Sequence, residues 1–456
     1  METPVYDFLV DYAEKNGLRA HMPGHKGKAP DERLSGLFRL DITEIAGADS
    51  LFEAEGIIAQ SERNTAALYG SAASAFSAGG STLCIQAMLA IMKMEERRII
   101  AARNVHRAFL NAAALLGLDV DWVLPRYSGG ILSGELALSD VEAALAASDK
   151  PACFYVTSPD YTGRLADIAG LAEVCRRHGA RLIVDGAHGA HLAFFENNLH
   201  PIALGADMCC DSFHKMLPAL TGAAVLHTSR EEYAPLLKQA MSLFGSTSPS
   251  YLIMASLDLC NRYIAENIRS DIAAALPLIA ELKSSFAGRL LFADGDPFHI
   301  TVRAAESGFC GTELADLLRS SGVECEYADD ELLILLLAPS GDIGDLRRLR
   351  TALEGAVAGA SPRKKSSRSL NVKLPRMACT IREAAFSASE EIAVEEAEGR
   401  ICASVKVPCP PAVPIAVSGE VIDRDCIEIF RQYGIKTVLV VRGAIGYCNF
   451  KAYVVK

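Results

Sequence analysis

The strongest constraint on what this chain can fold into is a strand–helix–strand pattern that ends on charge. Residues 153–157 are an apolar run closed by a Pro and Gly turn, 165–178 read as an amphipathic helix that stops at Gly179, and 182–184 are a second apolar run that stops on Asp185. Short apolar runs bounded by glycine and charge read as buried parallel strands, and the helix between them as a right-handed crossover. Further runs at 99–101 and 120–124 continue the alternation with helices. The pattern predicts an α/β chain with a mostly parallel sheet. In such sheets ligands lie beyond the carboxyl ends of the strands, so Asp185 stands where a cofactor would sit.

A further short strand, 206–210, runs into Asp211-Ser212-Phe213-His214-Lys215. A lysine just past a strand end, beside the hydroxyl of Ser212 and the imidazole of His214, suits a Schiff-base lysine near a phosphate. Pyridoxal phosphate needs a lysine for its aldehyde and a carboxylate for its pyridinium nitrogen. Taken singly, Asp185 reads as a cap or turn former and Lys215 as a solvated side chain. The pair, in this order, favours the cofactor site because a phosphate turn lies upstream. There a strand end at 75–78 leads into Gly79-Gly80-Ser81-Thr82 and a helix from Leu83. Backbone N–H groups at such a helix start face an anion, so Gly80, Ser81 and Thr82 are the expected phosphate cup.

These blocks resemble the Orn/Lys/Arg decarboxylase family. HMPGHKG at 21–27, LDITE at 40–44, RNVHRAFLNA at 103–112, TSPDYTG at 157–163, DGAHGAH at 185–191, SFHK at 212–215 and STSPSYLIMASLD at 246–258 stand in family order, and PPAVPIAVSGEVI at 410–422 is similar to the C-terminal domain. The resemblance implies a fold type I (aspartate aminotransferase-like) large domain with a seven-stranded-type sheet, followed by smaller α/β domains. It implies pyridoxal phosphate as cofactor, no metal, and decarboxylation of arginine, lysine or ornithine in polyamine-related metabolism, with arginine preferred. His106 would stack on the cofactor ring and donate protons, and His188 would pack near the ring or its phenolic oxygen. Asp185 and Lys215 complete the expected catalytic set.

Two stretches carry a plain reading beside the family's. The arm at 21–27 is a basic turn that the resemblance brings toward an active site shared between subunits, with Asp41, Glu44 and Asp49 as contacts for a cationic substrate. Ser246, Thr247 and Ser248 are expected to cap a helix from Pro249, and the resemblance adds a contact to the partner's phosphate. The chain departs from the family at Gly80, where a threonine is usual, and at Asp160, which adds a carboxylate. It shows no response-regulator-like extension, which puts the decameric assembly of the large members in doubt, while a site shared between subunits implies a homodimer or a higher homo-oligomer. Transamination and a catalytically degenerate cofactor-binding paralogue remain alternatives.

Length allows several domains: 1–55 helix and arm, 56–286 cofactor domain, 287–360 small α/β domain, 361–376 basic linker, 377–456 C-terminal domain. In the last, a helix at 380–398, a proline-rich strand entry at 408–414, a helix at 425–434 and strands at 436–442 and 451–455 are expected. A net charge of −11 argues against nucleic-acid binding. The thirteen cysteines are scattered, which reads as reduced buried thiols. No signal peptide and no apolar run of membrane-spanning length is seen, so a cytoplasmic protein without membrane contact is expected.

Overall fold

The computed structural model describes residues 1–127, 131–366, 372–404 and 414–445. The chain forms two compact units, one of Met1–Ile91, Leu182–Ser285 and Leu337–Arg348, the other of Met92–Arg181, Phe286–Leu336 and Leu349–Lys456. The architecture is α/β with a mostly parallel sheet, as the alternating pattern predicts.

In the first unit, Arg181–Asp185 runs parallel to Met208–Asp211, with Asp185 opposite Cys210. Ala224–Thr228 returns antiparallel against both Met208–Asp211 and Ala73–Ser77. The N-terminal helix Pro4–Glu14 is tied to the long helix Tyr251–Glu266 by a buried acid. Asp258 accepts the Val5 and Tyr6 backbone N–H groups at 2.9 and 3.0 Å and the Ser61 hydroxyl at 2.5 Å. The two N–H groups are helix-terminal donors that have no partner within their own helix.

In the second unit, Arg98–Ala102 runs parallel to both Val120–Val123 and Ala152–Thr157. A small antiparallel sheet follows, His299–Arg303 with Leu332–Leu336 and Tyr327–Ala328, flanked by the helix Gly311–Ser320. The C-terminal sheet joins Ser389–Ala393, Thr437–Ile445 and Arg400–Ser404, with the helix Arg424–Gln432 packed on it through Ile427, Ile429 and Phe430.

Several boundaries differ from expectation for local reasons. The crossover helix is Ile168–Arg177, because Asp167 caps it by accepting the Gly170 N–H. The helix Leu138–Ala146 follows Ala137 at its N-cap position, with Ser139 inside its first turn. The expected cap at 246–248 is supplied instead by Ser250, which accepts the Ile253 N–H, while Ser246 accepts from Ser248. The helical stretch to 285 is two helices, broken where Asn267 leaves helical φ at −127°. The expected helix at 380–398 is only Ile381–Ala385, closed by a capping box of Thr380 and Glu383. A strand follows it because Ile392 and Val394 pack into the C-terminal sheet's core. Parts of the linker and of the proline-rich entry, and the strand expected at 451–455, lie outside the described residues.

One contact fastens the C-terminal segment beside a strand end. Arg103 donates to Glu420 at 2.7 Å with both side chains almost fully buried, and its guanidinium lies 4.9 Å from the Trp122 ring centre. Removing one partner of a buried pair leaves the other charge uncompensated, which costs about 3–5 kcal/mol. Glu420→Ala is therefore expected to lower the urea midpoint by a matching amount, and an unchanged midpoint contradicts the anchoring.

Candidate active site

In the first unit the structure gathers most of the expected residues on adjoining turns. Lys215 Nζ lies 2.9 Å from Nε2 of His188. His188 sits on the turn that leaves the Arg181–Asp185 strand, and Lys215 on the short helix Phe213–Met216 that leaves the neighbouring strand. Asp185 is 2% exposed at its strand end, where Oδ1 accepts the Ala187 N–H at 3.2 Å. The loop before Ala224–Thr228 links the remaining parts. The Gly222 carbonyl accepts the Gly80 N–H at 2.8 Å, and the Ala223 carbonyl accepts Nδ1–H of His214 at 2.9 Å.

The glycine turn is tighter than the sequence suggests, because the helix begins at Gly80 rather than at Leu83. Gly80 holds φ +69°, a conformation L side chains rarely adopt, and a Cβ there would meet open space. Ser77 braces the turn, its hydroxyl donating to the Gly80 carbonyl at 2.9 Å. Ser81 and Thr82 thus fall in the first helical turn, where backbone N–H groups lack intrahelical partners. Across the site, the buried Ser212 hydroxyl has no hydrogen-bond partner.

Beneath these turns lies a group that sequence reasoning missed. Asp211 is wholly buried, with Oδ2 at 2.8 Å from His200 Nε2 and 3.2 Å from His227 Nε2. His227 Nδ1 is 2.8 Å from the Ser74 hydroxyl, and the Tyr69 ring lies 4.4 Å from the His227 ring. Burial pushes the Asp211 carboxyl up, but His200 and then His227 outweigh it and hold the group below the ordinary carboxylate range. Burial pushes His227 down in spite of that carboxylate. Gly186 leaves room for the arrangement, since a Cβ there would stand 2.8 Å from Asp211 Oδ1 and from Cys209 Sγ. His200, Cys209 and Asp211 offer donor atoms within 4.8 Å of one another, as a metal site would. The hydrogen bonds of His200, to Asp211 and from the Ile202 N–H, account for the group without an ion. The legible signal was an acid in an apolar strand, which demands a partner.

The basic arm closes largely on its own surroundings. His21 meets the Tyr12 hydroxyl at 2.5 Å and His25 meets Asp41 at 3.1 Å. Asp49, expected as a substrate contact, accepts the N–H groups of Ser50, Glu55, Gly56 and Ile58, which makes it a turn former. In the second unit His106 caps the helix Arg107–Leu116, with Nδ1 accepting the Ala108 N–H at 3.2 Å. Asp160 is buried, and Oδ1 accepts from the Thr162 hydroxyl and from the Thr162 and Arg164 N–H groups.

Comparison with known proteins follows this geometry. Residues 3–293 match the model of the Orn/Lys/Arg decarboxylase major domain, and residues 364–433 that of the C-terminal domain of the same family. An arginine decarboxylase of Bacillus subtilis is 28% identical over 94% of this chain and 94% of its own. Among solved structures, lysine decarboxylase A from Pseudomonas aeruginosa superposes with a TM-score of 0.80 over 96% of this chain and 80% of that one, at 19% identity. Sphingomonas wittichii serine palmitoyltransferase superposes at 0.54 over 69% of this chain and 81% of that one, at 14% identity. The fold is that of the type I pyridoxal phosphate enzymes.

The buried charges fix a pH dependence. His227 titrates below an ordinary imidazole through burial; so does His214, where burial leads and the Lys215 charge adds to it. The unfolded chain therefore binds more protons once pH falls below about 6.5, and folding loses stability there. Asp211 is depressed as well, so a further loss sets in below about pH 4 as the unfolded carboxyl protonates. Glu62, Asp160, Asp258 and Glu420, whose carboxyls burial pushes up, oppose this fall, so it is read by difference: the drop in Tm from pH 7 to 5 is expected to be smaller in His227→Gln than in the parent, and equal drops contradict the reading.

Proposed function

The chain belongs to the Orn/Lys/Arg decarboxylase family and is a decarboxylase of basic amino acids, and from that premise we propose that it acts on arginine with pyridoxal phosphate held at Lys215. The observation that carries the site is the 2.9 Å contact between Lys215 and His188, on the turns that follow two parallel strands ending at Asp185 and Asp211. The arginine preference is supported by the arginine decarboxylase relative, which spans nearly the full length of both chains.

The residues present fit the cofactor. The unpartnered hydroxyl of Ser212 and the open space at Gly80 suit a phosphate, with Ser81, Thr82 and His214 beside them as further donors. Asp185, buried and at the strand end, would hold the pyridinium nitrogen protonated, since an adjacent carboxylate favours the charged form of a base. When bound, the cofactor supplies an electron sink for the charge left at Cα as CO₂ departs.

The protein's own part is to handle protons. A lysine must lose a proton before its nitrogen can act as a nucleophile, and His188 Nε2 is placed to accept it. The same pair then supplies a proton on the return step, with Lys215 delivering it to Cα. Asp185 and His188 are buried, whereas Lys215 beside them is exposed.

We also infer a homodimer or larger assembly in the cytoplasm, serving amine biosynthesis. Leu18, Met22 and Leu37 are 96, 64 and 50% exposed, an apolar surface that a second copy would cover. Every cysteine among the described residues is a free thiol, which suits a reducing compartment. No helix among the described residues is long and apolar enough to cross a membrane.

Lys215→Ala is expected to abolish both the yellow absorbance of the loaded enzyme and CO₂ release from arginine, lysine and ornithine. His188→Ala should retain the colour and lose turnover by roughly 10²-fold or more, the usual size of a proton-transfer contribution. Colour and full turnover in Lys215→Ala would place the cofactor elsewhere.

A further inference from the structure

The second unit holds a cavity of about 240 Å³ at the carboxyl ends of the strands Arg98–Ala102 and Ala152–Thr157. Three polar atoms of residues that line it have no hydrogen-bond partner: Oδ1 of Asn104, Oγ1 of Thr157 and Oδ2 of Asp160. Asn104 is 8% and Asp160 4% exposed, so bulk water does not readily serve them. Buried polar groups in native proteins are nearly always satisfied, and exceptions point to an ion, a water or a ligand. Asp160 is only half committed. Its Oδ1 takes three donors from the turn that follows, which fixes the carboxylate plane and leaves Oδ2 over.

The unmet atoms favour donors. A carboxylate oxygen only accepts when ionised, and the amide oxygen only accepts; the threonine hydroxyl can do either. Two further carboxylates, Glu135 and Asp167, line the same space against one guanidinium, Arg164. Arg164 spends its Nε on the Ser133 hydroxyl at 3.1 Å, and Asp167 caps its helix through one oxygen. Glu135 and Asp167 outnumber Arg164, and burial pushes the Asp160 carboxyl up, a cost that a bound cation would offset. A ligand that matches this set carries positive charge and several N–H groups, as a guanidinium or a primary ammonium does.

We propose that this cavity is a cation subsite that takes the guanidinium or ammonium end of a basic amino acid, or of the amine left by its decarboxylation, with Asp160 as the anchoring charge. The source of the ligand rests on the decarboxylase reading, whereas the binding chemistry rests on the cavity alone.

The test is Asp160→Asn in the cofactor-loaded enzyme, which keeps an acceptor for the turn and removes the charge. Agmatine, cadaverine and putrescine are titrated into parent and variant by calorimetry, and decarboxylation of the three basic amino acids is followed in parallel. The expected result is that the amine that binds the parent most tightly binds the variant at least tenfold more weakly. If the cavity receives the substrate side chain, KM rises by a similar factor with kcat changed less than threefold, and the amine inhibits competitively. If it receives the product as an effector, KM is unchanged and the amine's effect on rate disappears. Unchanged amine affinity together with unchanged KM overturns the subsite, as does a parent that binds none of the three amines. Should Asp160→Asn fail to fold, Thr157→Val decides by the same titration, with a threefold weakening expected and no change overturning the proposal. A parent that releases no CO₂ would sink the decarboxylase reading, while the amine titration would still judge the cavity.

Discussion

A carboxylate with no access to water organises the first unit. Asp211 ends a strand whose other residues are Met208, Cys209 and Cys210, all buried. An ion in such a place must be neutralised or tied down. Two imidazoles from separate parts of the chain, His200 and His227, do this from opposite strand neighbours and loops. Because Asp211 is followed directly by Ser212, His214 and Lys215, fixing its carboxylate also fixes where the next turn begins. The close approach of Gly186 to the same carboxylate couples that turn to the one carrying Asp185 and His188. The 2.9 Å contact between Lys215 and His188 is thus held from below by a charge that takes no part in proton transfer.

The second unit repeats the device with different residues. Arg103 follows its strand and is neutralised by Glu420, more than three hundred positions away in the chain. Asn104 and His106 come next, so a segment near the C-terminus steadies the loop that carries an expected cofactor contact. Asp160 follows the neighbouring strand and binds its own turn through one oxygen only. Polar groups at these strand ends are therefore unequal. Some are spent wholly on structure, and others keep an atom for a ligand.

How much of this could be read beforehand depended on range along the chain. The strands around Asp185 and before Lys215 were legible because apolar runs bounded by glycine and charge are local signals. So was the glycine turn, although its helix starts at Gly80. The helix expected across 380–398 was misread because Ser389–Ala393 pairs with Thr437–Val441 as a strand, and that partner is distant in sequence. That Asp49 gathers five backbone N–H groups was not legible, because nothing local reveals their convergence.

The amino-acid sequence by itself determined the α/β alternation, the order of the motif blocks and which lysine and aspartate stand at neighbouring strand ends. Those properties follow from periodicity and turn chemistry, which act over a few residues. Only the tertiary structure decided that His188 meets Lys215, that Asp211 is held by His200 and His227, and that Asp160 keeps one oxygen unspent. Electrostatic and hydrogen-bond satisfaction is settled by what surrounds a side chain in space, and residues far apart in the chain become neighbours only when the strands have paired.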